Sequence, residues 1–156
     1  MKVKIVSFKD KYSHYFYELN YDWLNEYFFV EEYDEKVLKN CKKEIIDKGG
    51  FIFFAIYNSE IVGTMALIPR EEGVYELNKM AVRKDLRGKG IGHQLINFII
   101  HYAKENNYKS VILYSNTVLK NSIHLYNKFG FKKINSEGNT PYKRSDIKME
   151  LILSNL

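Results

Sequence analysis

Three glycines on alternate positions form the segment that most constrains how this chain can fold. Gly88, Gly90 and Gly92 follow a strand-like run at 74–82 and precede a run with helical periodicity at 93–100. Glycine leaves no side chains on such a turn, so backbone N–H groups are exposed where the helix dipole also favours negative charge. The segment therefore predicts an anion site, usually for phosphate, at the start of a helix.

The spacing of these glycines does not fit two common phosphate-binding motifs. Position 93 is His, which breaks the dinucleotide pattern G-x-G-x-x-G, and no Gly-Lys-Ser/Thr follows a first glycine at the P-loop distance. From Arg87 onward the segment reads Arg-x-x-Gly-x-Gly. This spacing resembles the pyrophosphate loop of the GNAT N-acetyltransferases, which hold acetyl-coenzyme A (acetyl-CoA) in this way.

A second segment downstream strengthens the resemblance. Residues 111–116 predict a buried strand, and 121–130 predict a short helix that ends at Gly130. The pattern Asn-x-x-x-Leu-Tyr-x-x-Phe-Gly-Phe at 121–131 is similar to the family's other signature segment. Because both segments occur in the family's order and at about its spacing, the chain is identified as a member over roughly residues 52–151.

The resemblance implies a fold, a cosubstrate and a set of binding residues. The fold is α/β (mixed α+β), with a central mixed, mostly antiparallel sheet flanked by helices on both faces. The cosubstrate is acetyl-CoA, and Tyr126 would meet its sulfur and act as the acid for the leaving thiolate. Either Asn121 or Asn116 would contact the pantetheine. The pantetheine would align on the main chain of Met80, Ala81 and Val82, and the pyrophosphate would bind Arg87, Gly88, Lys89, Gly90, Ile91 and Gly92.

Glu76 is the candidate base for acetyl transfer. An alkylamine with a pKa of about 10.4 is almost entirely protonated at pH 7, so a base must remove a proton, directly or through water. Glu76 interrupts a strand-like run, where a buried carboxylate is costly unless it is functional or paired. Strand alternation places it on the same face as Asn78 and Met80. The alternative is a solvent-facing glutamate on a half-exposed strand.

The acceptor is expected to be a cationic primary amine. Residues 12–35 contain seven acids without Lys or Arg, interleaved with aromatic residues. The first helices of the family commonly form the wall of the acceptor site. Glu31 and Glu32 are the candidate contacts, because carboxylates and aromatic faces together suit an ammonium group. The alternative is that the earlier acids, which are spaced by four, form the solvated stripe of an amphipathic helix.

Composition limits the remaining function classes. The chain has 156 residues, 46% of them hydrophobic, which suits one globular domain over 1–156. Its formal net charge of +5, with every Lys and Arg outside 12–35, suits a polyanion such as coenzyme A but equally suits RNA. A non-catalytic acyl-CoA-binding regulator and a basic RNA-associated protein are therefore the alternatives, and a homodimer is left open.

Localisation and metal binding follow from what the sequence lacks. No secretory signal and no bilayer-spanning run is visible, so cytoplasmic residence is expected. The single cysteine, Cys41, excludes an intrachain disulfide and a cysteine-cluster metal site. The four histidines show no His-x-x-x-His spacing, and no metal is predicted.

Periodicity along the chain predicts a mixed order of strands and helices. Strands are predicted at 2–8, 51–57, 61–68, 74–82, 111–116, 131–134 and 147–153. Helices are predicted at 12–29, at 34–48, from the glycine segment to 106, and at 121–130. A polar loop at 135–146 precedes the last strand.

Overall fold

A seven-stranded sheet in the order β1-β2-β3-β4-β5-β7-β6 carries the fold. The computed structural model describes residues 1–135 and 142–153. The strands are β1 (Lys4–Ser7), β2 (Phe51–Tyr57), β3 (Glu60–Pro69), β4 (Val74–Val82), β5 (Ser110–Ser115), β6 (Lys132–Ile134) and β7 (Ile147–Ile152). The helices are α1 (Ser13–Tyr27), α2 (Glu32–Lys39), α3 (Ile91–Glu105) and α4 (Lys120–Lys128). Neighbouring strands run antiparallel except β4 and β5, so the expected mixed, mostly antiparallel sheet is confirmed.

Each face of the sheet has its own apolar layer, because successive side chains of a strand point to opposite faces. On one face, Phe53, Leu67 and Leu77 pack with the buried side of α3. On the other face, Phe54 and Ala66 pack with buried side chains of α1 and α2. Helices therefore flank both faces, as the sequence predicts.

Local sequence signals account for most element boundaries. The β2–β3 hairpin closes on Asn58 and Ser59, whose φ angles of 49° and 64° fit a two-residue type I′ turn. The predicted first strand and first helix both contract at their ends to β1 and α1. Within the predicted polar loop, residues 136–141 lie outside the described part of the chain, as do 154–156.

The prediction of one continuous helix over 34–48 is wrong. α2 ends at Lys39, and a separate turn of π-helix spans Lys42–Ile46. Asn40 lies between them with φ −118° and ψ 41°, and its side-chain amide donates to the carbonyl oxygen of Lys36 at 3.0 Å. The Asn40 N–H still donates to the Lys36 carbonyl oxygen at 3.2 Å, so the helix is interrupted by the backbone angles of Asn40 and not by a lost hydrogen bond.

The sheet opens between β4 and β5. These strands pair in parallel over Val74–Glu76 and Ser110–Ile112, whereas β5 pairs with β7 from Ser110 to Ser115. Beyond Glu76 the described ladder between β4 and β5 ends, so the carboxyl-terminal parts of the two strands diverge. A cleft forms at this point.

Candidate functional site

The cleft between the diverging strands encloses about 120 Å³. Residues 76–80 of β4 form one wall, and the end of β5 together with α4 forms another. Trp23 of α1 and Phe28 at its end also line the cleft, as do Tyr142 and Arg144 from the segment before β7. Elements that are distant in sequence therefore converge on one enclosed space.

The glycine segment has the backbone conformation that its sequence predicts. Gly88 and Gly90 have φ angles of 75° and 86°, in the left-handed region that strains residues with a Cβ. Gly90 is the N-cap of α3, and the first hydrogen bond of the helix runs from the Gln94 N–H to the Gly90 carbonyl oxygen at 3.1 Å. A Cβ at Gly88 or Gly90 would meet no described atom within 4 Å. The surface above the first turn of α3 is therefore open to a ligand.

Arg87 joins the glycine segment to two other elements. Its Nε donates to the carbonyl oxygen of Val82 at 2.9 Å, and its Nη1 is paired with the Glu26 carboxylate. Its guanidinium carbon also lies 5.5 Å from the ring centroid of Tyr27. Lys89, in contrast, is exposed. Pyrophosphate binding by these two cations stays a prediction, and for Arg87 it requires sharing or exchanging the Glu26 contact.

Glu76 lies deep in the wall of the cleft, with 1% of its surface exposed. Arg70 donates to its Oε1 from Nε at 2.8 Å and from Nη2 at 2.6 Å, and Asn78 Nδ2 donates to its Oε2 at 2.7 Å. Burial raises the pKa of the Glu76 carboxyl above its usual range, against the lowering effect of the Arg70 guanidinium. A base whose pKa lies closer to neutral pH is better matched to accepting a proton from an ammonium group. The alternative of a solvent-facing Glu76 is wrong.

β4 contains a bulge, and the prediction that Met80 lies on the same face as Glu76 and Asn78 is therefore wrong. Asn78 pairs with Ala66, but Ala81 pairs with Thr64, so β4 carries one extra residue in this stretch. Met80 consequently packs on the α3 side with Leu77, not on the face of Glu76 and Asn78. Alternation fails here because an inserted residue exchanges the two faces for everything that follows.

Tyr126 lies on α4 and lines the cleft. Its ring is half-buried and packs 5.9 Å from the ring centroid of Phe131. Burial raises the pKa of the Tyr126 phenol to about 12. Full proton transfer to a thiolate with a pKa of about 8.5 is therefore strongly uphill. The hydroxyl is better suited to donating a hydrogen bond to a developing thiolate than to protonating it.

The two candidate asparagines occupy different environments. Asn116 lines the cleft, and its Nδ2 donates to the carbonyl oxygen of Arg144 at 2.6 Å while its Oδ1 accepts from the Val118 N–H at 2.9 Å. Its amide thereby anchors the segment before β7. Asn121 is exposed in the first turn of α4. Which of the two contacts the pantetheine stays a prediction.

Glu31 and Glu32 lie outside the cleft lining. Glu31 Oε2 accepts from Arg144 Nη1 at 3.0 Å, and Glu31 also forms a capping box with Asp34 at the start of α2. Glu32 is exposed beside a separate surface hollow that includes Phe29. None of the seven acids of 12–35 is among the described residues that line the cleft. The predicted contacts of Glu31 and Glu32 with the acceptor therefore have no support from their positions.

A cluster of four charged side chains, which the sequence did not reveal, adjoins the cleft, and two of its members, Lys79 and Arg144, line it. Lys79 Nζ and Asp34 Oδ1 are 2.5 Å apart, with 3% and 0% of the side chains exposed. Arg144 donates to Asp34 from Nη1 at 2.7 Å and from Nη2 at 3.0 Å, and it reaches Glu31 as well. Burial by itself would raise the pKa of Asp34, but Arg144 and Lys79 lower it below its usual range. We call Glu31, Asp34, Lys79 and Arg144 the four-charge cluster.

Some of these residues had a signal in the sequence and others had none. Ile68 of β3 pairs with Glu76. Arg70 lies two residues beyond Ile68, just after β3 ends, so the register of the hairpin places Arg70 diagonally opposite Glu76 on the same face. This partner could have been found by counting along the predicted hairpin. Asp34 and Arg144 are 110 positions apart, and no local pattern joins them.

Two features are absent from residues 1–135 and 142–153. No three His, Cys, Asp or Glu side chains lie close enough there to hold a metal ion. No helix in this part of the chain has the length and apolar character required to cross a bilayer.

Comparison with known proteins defines the class to which this fold and cleft belong. The sequence model described as "Acetyltransferase (GNAT) family" matches residues 7–131. This match covers most of the chain, including β4, the glycine segment, α3 and α4. The chain therefore belongs to the GNAT acetyltransferase family.

Individual relatives agree with this placement. N-acetylaspartate synthetase from Danio rerio is 35% identical over 88 residues, which are 55% of this chain and 31% of that protein. The chain thus spans about a third of the length of that curated relative. A GNAT-family acetyltransferase structure from Staphylococcus aureus Mu50 superimposes with a TM-score of 0.85 at 22% identity, covering 98% of this chain and 100% of that one. PaiA N-acetyltransferase from Thermoplasma acidophilum, in complex with coenzyme A, gives 0.76 at 18% identity, covering 97% and 99%.

Proposed function

We propose that this chain transfers an acetyl group from acetyl-CoA to a primary amine by direct attack in a ternary complex. One observation carries the proposal: a single cleft has a buried carboxylate with a raised pKa on β4 and a phenol on α4, and the open N-terminus of α3 lies beside α4. The structure of a relative of similar fold in complex with coenzyme A supports the cosubstrate.

In the proposed reaction, the residues of the cleft act one after another. Glu76 accepts a proton from the ammonium group of the acceptor, directly or through water, and the free amine attacks the carbonyl carbon of the thioester. The nitrogen of the tetrahedral intermediate loses its second proton to solvent, the C–S bond breaks as the intermediate collapses, and the sulfur leaves with the bonding electron pair. The Tyr126 hydroxyl donates a hydrogen bond to that thiolate, which solvent then protonates. The main chain near Met80 would align the pantetheine in the manner of an added strand.

The acceptor is the least constrained part of the proposal. The expected cationic amine rested on the acids of 12–35, which lie outside the cleft lining, whereas the cleft itself presents Lys79 and Arg144 beside Glu76. An amine panel must therefore include acidic amines as well as polyamines, aminoglycosides, peptide N-termini and lysine side chains. The name of the relative N-acetylaspartate synthetase is a further reason to include aspartate.

The decisive experiment is thiol release from acetyl-CoA across this panel, with mass detection of the acetylated product. Release that depends on one amine class supports the proposal and identifies the acceptor. Tight acetyl-CoA binding without turnover would instead indicate the non-catalytic regulator. Steeply salt-dependent binding to RNA without turnover would indicate the RNA-associated protein. A single domain over 1–156, cytoplasmic residence and a homodimer stay predictions.

A further inference from the structure

The bulge in β4 occurs at the position where the strand leaves β5. The extra residue falls between Asn78 and Ala81, and Lys79 in this stretch has a φ of 54°. A left-handed conformation costs a residue with a side chain roughly 1–2 kcal/mol, because its Cβ approaches the following carbonyl oxygen. Glycine would avoid that cost, yet the chain has lysine here. Something must therefore hold Lys79 in this conformation.

The side chain of Lys79 provides the holding contact. Its ammonium group reaches away from the strand to Asp34 at 2.5 Å, in a pair that is almost entirely excluded from solvent. Asp34 is itself fixed by two hydrogen bonds from Arg144 and by its own capping bond to the Glu31 N–H at 3.1 Å. A buried ammonium group that lost this partner would remain desolvated and unpaired, which is strongly unfavourable. The partner on α2 thus fixes the side-chain direction of Lys79.

The consequence for the cleft concerns the main chain that follows the bulge. Along a strand, successive N–H groups and successive carbonyl groups point to opposite sides, towards one neighbouring strand and then the other. Met80, which follows the left-handed Lys79, lines the cleft. Without the extra residue, the main-chain groups after it would turn to the opposite neighbour, and the side chains would exchange faces. The family resemblance assigns the alignment of pantetheine to this same stretch.

We propose that the ion pair between Lys79 and Asp34 holds the β4 bulge in the register that acetyl transfer needs, so that Lys79 is a positioning residue. It acts through the main chain of 80–82 and does not contact the acetyl group. Arg144 shares the task by orienting Asp34. This inference rests on the proposed function for its effect on turnover, but its effect on the backbone does not depend on turnover.

The test uses three variants of the full chain and two measurements. Lys79→Met keeps the stem without the charge, Asp34→Asn keeps the shape of the partner, and Lys79→Gly removes the backbone strain together with the pair. Amide hydrogen exchange of 77–82, measured relative to that of 51–57 in β2, should become about tenfold faster in all three, because a loss of global stability speeds exchange in both segments. In the thiol-release assay, kcat should fall about tenfold, and the acetyl-CoA KM should rise as well, because the stretch that would align the pantetheine is displaced.

Control variants and alternative outcomes separate the two proposals. Ile52→Ala, in the core of β2, loses stability through a cavity, but it should not raise the exchange rate of 77–82 relative to 51–57 and should leave kcat close to wild type. Unchanged exchange at 77–82 in folded Lys79→Met and Asp34→Asn overturns the inference, whatever their activity. Wild-type exchange in Lys79→Gly alone would show that the φ angle, not the ion pair, sets the bulge, and this also overturns it. If the wild type acetylates no amine and exchange at 77–82 is nevertheless faster in the variants, the positioning role stands and the proposed function is rejected.

Discussion

The glycine segment and the four-charge cluster both adjoin β4, but their geometry has opposite origins. In the glycine segment, Gly88 and Gly90 adopt left-handed conformations that their lack of a Cβ permits, and the space beside them is open. In the four-charge cluster, Lys79 and Arg144 lie 45 and 110 positions from Asp34 in the sequence, and both form hydrogen bonds with it that are largely shielded from solvent. The geometry of the first region depends on the absence of a Cβ, and that of the second depends on contacts between residues that are distant in sequence.

This difference separates ligand affinity from stability. A change in the glycine segment removes few contacts within the protein, so its main effect should be on an anion that approaches the backbone. A change in the four-charge cluster leaves a buried charge without its partner, so its main effect should be on folding and on the backbone of β4. Substitutions in the two regions should therefore be distinguishable by which measurement they alter.

The largest effect is expected for Asp34→Asn, which should lower the free energy of unfolding by about 3 kcal/mol at pH 7, because Lys79 and Arg144 lose a buried partner. The pKa of Asp34 is lowered in the folded state. Its contribution is therefore fully present above the unfolded pKa of about 3.9 and is lost as the pH falls through the folded value. Urea denaturation of variant and wild type from pH 7 down to about pH 4 and below should show this difference shrinking only at the acidic end.

Glu35→Gln is the matched control for Asp34→Asn. Glu35 is the next residue of α2 and pairs with Lys39 at 2.8 Å, but on the surface. An exposed pair contributes little, so the free energy of unfolding should barely change. An equal loss of stability in both variants would contradict the distinction between the buried cluster and the surface.

Glu76→Gln should lower kcat/KM about 100-fold at neutral pH, because a glutamine cannot accept the proton of the acceptor ammonium. The variant should partly recover at high pH, where more of the amine is unprotonated. In the wild type, kcat/KM should fall on the acidic side as Glu76 takes up a proton, nearer to neutrality than for an ordinary carboxyl because burial raises its pKa. Glu72→Gln, in the exposed turn before β4, should behave as wild type. A variant with the wild-type pH profile would remove Glu76 from the mechanism.

Gly90→Val should weaken acetyl-CoA binding at least about tenfold, or about 1.4 kcal/mol, because a side chain blocks the approach to the backbone and strains the N-cap of α3. Calorimetric titration measures the Kd directly. Gly49→Val is the control for strain, since Gly49 also has a left-handed φ, of 90°, with ordinary contact to Pro69 and no place near α3. Equal losses of affinity in both variants would attribute the effect to strain, and unchanged affinity in folded Gly90→Val would reject the anion site.

The smallest effect is expected for Tyr126→Phe. Because the phenol is too weak an acid for full proton transfer, its removal should cost about one net hydrogen bond, or about fivefold in kcat, with the acetyl-CoA Kd unchanged. Steady-state kinetics and calorimetry on the same preparation separate the two quantities. A loss of a thousandfold or more would instead indicate that Tyr126 transfers the proton itself.

Particular elements show which parts of the molecule local sequence can specify. The β2–β3 hairpin, the glycine segment, and the helices α1, α3 and α4 follow from turn residues and apolar periodicity, which act over a few neighbouring positions. The interruption after α2 was missed because apolar periodicity does not register a change in the backbone angles of one residue, Asn40. The bulge at Lys79 was missed for a related reason, since a lysine gives no signal for a left-handed φ.

By itself, the sequence determined the order of elements, the family to which they belong, and a glycine backbone with left-handed conformations before α3. Tertiary structure decided that Glu76 is buried against Arg70, that the acids of 12–35 lie outside the cleft lining, and that Lys79 and Arg144 meet Asp34 beside the cleft. The physical reason is the range of the interactions. A backbone conformation is set by the residues that adopt it, whereas a buried charge has no defined energy until the fold supplies its partner.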